Sequence, residues 1–242
     1  IKKLKEAKID EDSISILACY FPLYKLLEKI PSLKSFKSSN LKINNLWKLQ
    51  VLEPLNEIEL SKKIKRIGPI SDNVSRNVMS QYKKRPFPAW RDYFDHSNNK
   101  YPAETIINSE INPNEIKYTL NSKKSKVLIA GCGTGRQVLD AKRYKYSKVT
   151  GIEISPTSLS YAQRKINEIG MNNVELIQMD ILELSLLKEK FDIIECSGVL
   201  HHMRDTNEGL RSVLRVLNTN GFLKLGLYSK KARKTIQKAR EY

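Results

Sequence analysis

The 242-residue sequence contains little of what marks a disulfide-stabilised, metal-bound or membrane-spanning protein. Its three cysteines, Cys19, Cys132 and Cys196, lie too far apart to indicate a disulfide framework or a zinc site. Free thiols in a reducing compartment are the simplest interpretation. No apolar run approaches the ~18 residues that a membrane-spanning helix requires. We therefore expect a cytoplasmic protein without a bound metal.

Two further absences concern the organisation of the chain. It begins at Ile1, without a charged and then apolar signal pattern. No internal repeat of roughly 30–50 residues is visible, which argues against a solenoid. From these observations we expect a fragment of a longer protein.

Acidic residues are scarce relative to basic ones. The chain has 43 Lys and Arg against 26 Asp and Glu, a formal net charge of +17. Because the excess is spread along both halves, solvated surface charge is favoured over a nucleic-acid footprint, which stays open as an alternative. The charge also suits an acidic partner.

The hydrophobic pattern changes near residue 121. Residues 1–95 predict a helical region, and residues 96–121, rich in Asn, Ser and Pro, predict a linker. Residues 122–230 alternate short apolar runs with amphipathic segments, and residues 231–242 predict a basic helical tail. Five strands are predicted, at Lys126–Ala130, Lys148–Ile152, Val174–Gln178, Phe191–Glu195 and Gly221–Tyr228. This alternation predicts an α/β fold with a Rossmann-like, doubly wound, mainly parallel sheet.

A glycine-rich turn follows the first predicted strand directly. Gly131, Gly133 and Gly135 allow a tight turn in which backbone N–H groups can approach a ligand. Glu153, at the tip of the second strand, is suited to accept hydrogen bonds from both ribose hydroxyls. Asp180 ends the third strand and is suited to accept from an adenine amino group, with the N–H of Ile181 facing a ring nitrogen. Together these positions predict an adenosyl-binding pocket.

Arg136 distinguishes this pocket from a dinucleotide site. The dinucleotide fingerprint requires Gly or Ala at the sixth position of its glycine motif, and Arg136 occupies that position here. A bulky side chain there disfavours both a pyrophosphate and close helix packing. A cofactor without a pyrophosphate is therefore favoured over hydride-transfer chemistry.

The fourth strand ends in small residues followed by two histidines. Ser197 and Gly198 are expected to line the reaction region, and His201 or His202 could take a proton from an acceptor. Alternatively, the histidines cap or pack against the following loop. Cys196 is favoured as a small apolar residue over a nucleophile.

Taken together, these segments resemble the successive motifs of class I S-adenosylmethionine-dependent methyltransferases. The resemblance covers roughly residues 122–230, at Val127–Gln137, Gly151–Ser155, Met179–Ile181, Phe191–His202 and Leu217–Tyr228. Upstream, Gln50–Pro54 and Gln81–Trp90, together with Gly226–Ser229, resemble a bacterial group often fused to tetratricopeptide repeats. Rickettsial protein-lysine methyltransferases are similar in their core.

The resemblance implies a strand order of 3-2-1-4-5 with the final strand pair of the family missing. It implies S-adenosylmethionine as the cofactor and a protein side chain, lysine favoured, as the methyl acceptor. A small-molecule or lipid methyltransferase and a non-catalytic cofactor-binding or interaction domain are the alternatives. The cofactor-binding residues that it implies are Gly131, Cys132, Gly133, Thr134, Gly135, Gln137, Glu153, Ile154, Asp180, Ile181, Cys196, Ser197 and Gly198. Tyr82 and Trp90 are expected either to cover the cofactor as an aromatic lid or to pack in the core.

Overall fold

The computed structural model describes residues 9–84, 88–93, 100–116, 125–229 and 231–240. It divides into two compact units after Lys62. The sequence predicted one helical region over residues 1–95, but the structure assigns the helix at Asn73–Lys84 to the second unit.

The first unit is helical. Its helices are α1 (Glu11–Tyr20), α2 (Leu41–Trp47) and α3 (Glu53–Lys63), with short 3₁₀ turns at Leu23–Leu26 and Pro31–Ser35 and a π-helical turn at Lys48–Leu52. Asp10 begins α1, since its carboxylate accepts the Ser13 N–H at 2.8 Å. The unit has its own apolar core, in which Ile14, Leu23 and Ile30 are fully buried.

The second unit contains a six-stranded parallel sheet. Its strands are β1 (Lys65–Arg66), β2 (Lys126–Ala130), β3 (Lys148–Glu153), β4 (Val174–Gln178), β5 (Phe191–Ser197) and β6 (Leu217–Gly226), in the order β1-β4-β3-β2-β5-β6. The described helices of this unit are α4 (Asn73–Lys84), α5 (Ala103–Ile111), α6 (Arg136–Asp140), α7 (Pro156–Ile169), α8 (Thr206–Arg215) and α9 (Lys234–Arg240). The predicted Rossmann-like α/β fold is confirmed.

Successive residues of the central strand face opposite layers of the core. Val127 and Ile129 pack into one apolar cluster, whereas Leu128 and Ala130 pack into the other. This alternation follows from the two-residue period of a strand, and it explains why the run is apolar throughout.

The five predicted strands lie in the predicted order, and the structure adds β1 at the edge beside β4. β1 has only two residues, too few for a periodicity signal. The last predicted strand also begins earlier than expected, at Leu217 instead of Gly221. Because Leu217 is apolar, it is compatible both with the buried face of an amphipathic helix and with the start of a strand.

The predicted linker, residues 96–121, contains a helix in its described part, so that prediction is wrong for residues 103–111. Helix α5 buries Ala103, Ile106 and Ile107 against the sheet cluster. The Asn and Ser residues that suggested a loop lie on its less buried side or at its end, where polar residues are common.

Helix α7 has recognisable sequence signals at both of its ends. Ser155 accepts the Ser158 N–H at 3.2 Å, Pro156 takes the first helical position, and Gly170 ends the helix with a φ of 74°. The helix begins directly after β3, so the signals that start it also mark where β3 ends. They therefore place Glu153 at the carboxyl edge of the sheet.

Candidate functional site

A cavity of about 460 Å³ opens at the carboxyl edge of the sheet. Ligands of open α/β sheets bind outside the carboxyl ends of the strands, where the connections diverge. The predicted site residues that line it are Tyr82, Gly131, Cys132, Gly133, Thr134, Gln137, Glu153, Ile154, Asp180, Ile181, Ser197, Gly198 and His202. Four others, Gly135, Cys196, His201 and Trp90, are not in this lining.

The glycine turn has the backbone conformation that the sequence predicted. Gly131, Gly133 and Gly135 have φ angles of 76°, 51° and 86°. A Cβ on Gly131 would collide with the Val199 side chain, and one on Gly135 would lie 2.6 Å from the Ala162 Cβ. A Cβ on Gly133 would meet open space. The two outer glycines therefore permit close packing, and the middle one leaves room at the cavity wall.

Glu153 joins the tip of β3 to the glycine turn. Its Oε2 accepts the Gly133 N–H at 3.1 Å, and its Oε1 accepts the Ser155 N–H at 3.0 Å. Burial raises the pKa of this carboxyl, and the backbone N–H donors oppose that rise. Each oxygen has a second lone pair, so the carboxylate can still accept hydrogen bonds from a ligand in the cavity.

Asp180 lies at the tip of β4 and is 3% exposed. Its Oδ1 accepts the Leu182 N–H at 3.0 Å, which caps the following 3₁₀ turn. The carbonyl of the adjacent Ile181 accepts the Ser212 hydroxyl at 2.6 Å. These bonds hold the second carboxylate at the cavity, and both predicted carboxylates line one space.

Three features of the lining fit an adenosyl and amino-acid ligand. The Oε1 of Gln137 is buried without a hydrogen-bond partner among the described residues, so it is available to an ammonium or hydroxyl donor. Gly133 and Gly198 have positive φ angles and would point a Cβ into open space. The two carboxylates supply acceptors for hydroxyl and amino groups. The lining therefore fits the cofactor that the sequence indicated.

The other end of the cavity carries aromatic and sulfur-containing side chains. His202, Met203 and Tyr228 line it together with the Gly198 turn. The turn is held because the Gly198 N–H donates to the Gly226 carbonyl at 3.0 Å, joining the ends of β5 and β6. Tyr228 is 53% exposed, so this end opens to solvent.

Only one of the two predicted histidines lines the cavity. His202 lines the cavity, whereas His201 lies beside it, with its Nε2 3.0 Å from the Nε2 of His202. Burial lowers the pKa of His201, and neighbouring His202 and Arg233 lower it further.

The buried cysteines are not activated for reaction. Burial raises the pKa of Cys196 to about 12, and burial together with Glu153 raises that of Cys132 well above its usual value. Both thiols therefore stay protonated near neutral pH. Cys196 contributes to the core, and it is Ser197 and Gly198 that reach the cavity.

Trp90 supports the glycine turn from outside the cavity. Its indole N–H donates to the Thr134 carbonyl at 3.3 Å, and its ring packs edge-on against Tyr161. The Tyr161 hydroxyl donates to the Trp90 carbonyl. Of the two predicted lid residues, Tyr82 lines the cavity and Trp90 takes the packing alternative.

Sequence reasoning missed several lining residues. Val74 and Val78 lie on the same face of α4 as the predicted Tyr82, and the structure turns that face towards the cavity. Tyr228 lay inside a recognised segment without an assigned role. Val199 also lay inside a recognised segment without an assigned role, and Met203 carried no signal, because apolar residues near strand ends occur throughout α/β proteins.

The structure offers neither a metal centre nor a membrane span in its described parts. Within those ranges, no three His, Cys, Asp or Glu residues are grouped so as to hold a metal ion. None of the described helices has the length and apolar character needed to cross a membrane.

Comparison with known proteins identifies relatives of this chain. A family model described as a methyltransferase domain matches residues 121–241, half of the chain. An uncharacterized protein of Synechococcus is 31% identical over 120 residues, which covers 49% of this chain and 29% of the relative. A tRNA U34 carboxymethyltransferase of Campylobacter fetus is 28% identical over 203 residues, covering 81% of this chain and 61% of the relative. The chain thus spans less than two thirds of either relative.

A similar solved structure is PKMT2 from Rickettsia typhi in complex with AdoHcy. It has 30% sequence identity and a TM-score of 0.47, and the match covers 50% of this chain and 24% of that one.

Proposed function

Because this chain belongs to the methyltransferase domain family, we propose that it transfers a methyl group from S-adenosylmethionine to a protein side chain, with lysine as the favoured acceptor. One observation carries the proposal. A glycine turn and two strand-tip carboxylates surround a single cavity whose other end opens to solvent beside His202 and Tyr228.

In this proposal, three polar residues of the lining each bind a different part of the cofactor. Glu153 would hold the ribose hydroxyls, Asp180 the adenine amino group, and Gln137 the ammonium of the methionine portion. The glycine turn leaves room for that portion next to Gly133. These assignments follow from the acceptors that each side chain presents to the cavity.

S-adenosylmethionine supplies a methyl group on a sulfonium, so that the acceptor's lone pair bonds to the methyl carbon while the carbon–sulfur electron pair stays on a neutral thioether. The protein's tasks are therefore to align the acceptor and to exclude water. Val199 and Met203 add apolar surface to the cavity lining, which helps to exclude water.

The open end supports a macromolecular acceptor. Tyr228 and His202 are both exposed, so a side chain on another protein can reach the cavity without the partner entering it. Lysine has a long unbranched side chain that suits such a passage.

Calorimetry with S-adenosylhomocysteine tests the cofactor site. Glu153→Ala is expected to weaken binding at least tenfold, about 1.5 kcal/mol, because hydrogen bonds to a charged group are lost. Glu59→Ala, an exposed change in the first unit, serves as the matched control and should bind like the wild type. Binding that is absent in the wild type, or unchanged in Glu153→Ala, would refute the site.

Transfer of a radiolabelled methyl group into cell lysate tests the acceptor. We expect label in the protein fraction, at a position that amino-acid analysis identifies as methyl-lysine. Label confined to RNA, lipid or small molecules would reject the protein acceptor and leave the cofactor assignment intact. Cofactor binding without any transfer would favour a non-catalytic domain.

A further inference from the structure

Two histidines, a tyrosine and an arginine form a stacked cluster at the open end of the cavity. The His201 and Tyr228 ring centroids are 3.8 Å apart with an interplanar angle of 31°, and the His202 ring is 4.2 Å from His201. The Arg233 Cζ lies 4.0 Å from the centroid of Tyr228. Because Tyr228 and His202 line the cavity, the cluster is part of its wall.

The contact between the imidazoles requires a shared proton. Their Nε2 atoms are 3.0 Å apart, a hydrogen bond in which one nitrogen donates and the other accepts. When His202 donates, its remaining nitrogen, Nδ1, has a free lone pair. His202, which lines the cavity, then becomes a proton acceptor, and His201 fixes its tautomer.

His201 is suited to the supporting position because it is held neutral. When His202 donates, neutral His201 carries its single proton on Nδ1, which is buried without a hydrogen-bond partner among the described residues. A second proton could enter only at Nε2, the nitrogen that already accepts from His202. Burial, His202 and Arg233 all lower the pKa of His201. A proton taken from the cavity therefore stays on His202, which is exposed and can release it to water.

The charges around this end favour a neutral amine. The carboxylates of the described lining are Glu153 and Asp180, which belong to the tips of β3 and β4. The groups that face the imidazole pair are Tyr228 and the Arg233 guanidinium. A lysine ammonium placed beside the Arg233 guanidinium is disfavoured, because a nearby cation lowers its pKa.

We propose that His202 is the catalytic base of this methyltransferase and that His201 and Tyr228 are positioning residues which hold it. The inference rests on the proposed function. The N–H bond of the acceptor ammonium breaks, its electron pair stays on nitrogen, and the proton passes to His202 Nδ1. The freed lone pair is the one that accepts the methyl group.

The test measures kcat/KM from pH 6 to pH 10 with an acidic synthetic peptide that contains one lysine, chosen because the chain carries a net charge of +17. The wild-type rate should rise and level off near neutral pH. His202→Asn should be about 100-fold slower at pH 7 and should recover about tenfold per pH unit, because only peptide amine that is already neutral reacts. Arg204→Gln, an exposed change two residues away, is the control and should keep the wild-type profile.

The positioning role has its own readout. Tyr228→Leu removes the stacked ring and should lower the rate at pH 7 while leaving the rate at pH 10 close to wild type. Tyr228→Phe keeps the ring and should restore the wild-type profile. Binding of S-adenosylhomocysteine should change less than twofold in His202→Asn.

The outcomes separate the two proposals. A His202→Asn rate within threefold of wild type at pH 7, or one reduced equally at every pH, overturns only the role of His202 as the base. It leaves the proposed methyl transfer to lysine intact. If the wild-type chain binds S-adenosylhomocysteine but methylates no lysine in the peptide at any pH, lysine is not the acceptor. The proposed role of His202 is then rejected as well.

Discussion

At the scale of single residues, the glycine turn separates the requirements of folding from those of binding. Gly135 packs closely against Ala162, whereas Gly133 faces open space, although both glycines have positive φ angles. Their side-chain-free positions therefore serve different ends: close helix packing at Gly135 and access for a ligand at Gly133.

Alanine substitutions should distinguish these two roles. Gly135→Ala should reduce the free energy of unfolding by about 2–4 kcal/mol, because its Cβ collides with the Ala162 Cβ and approaches its backbone. Gly133→Ala should reduce it by only about 1–2 kcal/mol, the cost of a left-handed conformation, but should weaken S-adenosylhomocysteine binding more than tenfold. Urea unfolding and calorimetry measure the two effects. Equal losses of stability would contradict this division.

At the scale of elements, residues 88–93 act as a strap across the glycine turn. The Thr134 hydroxyl donates to the Pro88 carbonyl at 2.8 Å, and the Tyr93 hydroxyl donates to the Leu139 carbonyl of α6 at 3.2 Å. Lys165 of α7 donates to the Arg91 carbonyl at 2.9 Å. With the Trp90 bond to Thr134, these contacts tie the strap to the two helices that follow β2 and β3.

The strap should therefore report on the cofactor site. Trp90→Phe removes the N–H that holds Thr134 and should weaken S-adenosylhomocysteine binding about three- to tenfold, as expected for one hydrogen bond. Because Trp47 and Trp90 are the two tryptophans of the chain, Trp47→Phe leaves Trp90 as the reporter of ligand-dependent fluorescence. Unaltered affinity in Trp90→Phe, together with fluorescence that does not respond to ligand, would show that the strap only packs.

At the scale of the whole molecule, each unit is built around its own apolar core. The buried cluster of the first unit comprises residues between Ile9 and Val51, and the two sheet clusters comprise residues from Ile64 onwards. All the cavity-lining residues lie in the second unit.

A fragment of residues 63–242 should consequently fold and bind the cofactor. We expect a single cooperative unfolding transition in urea and an S-adenosylhomocysteine affinity within threefold of the full chain, because the second unit contains both sheet clusters and the whole described lining. The full chain measured in parallel is the control. A fragment without a cooperative transition would show that the second unit depends on residues 1–62.

The sequence by itself determined the sheet and the cofactor end of the site. Continuous apolar runs, the glycine turn and the Ser155-Pro156 helix start are local signals, and each strand places its next residue at the same edge. Glu153 and Asp180 could therefore be assigned to one pocket from chain position alone. The tertiary structure decided what depends on packing between distant segments: the burial of α5 in the predicted linker, the position of Trp90 behind the glycine turn, and the stacking of Tyr228 on His201. The Tyr228–His201 stack joins residues 27 positions apart, and the Trp90–Thr134 hydrogen bond joins residues 44 positions apart. A pattern that repeats every two or four residues carries no information about such contacts.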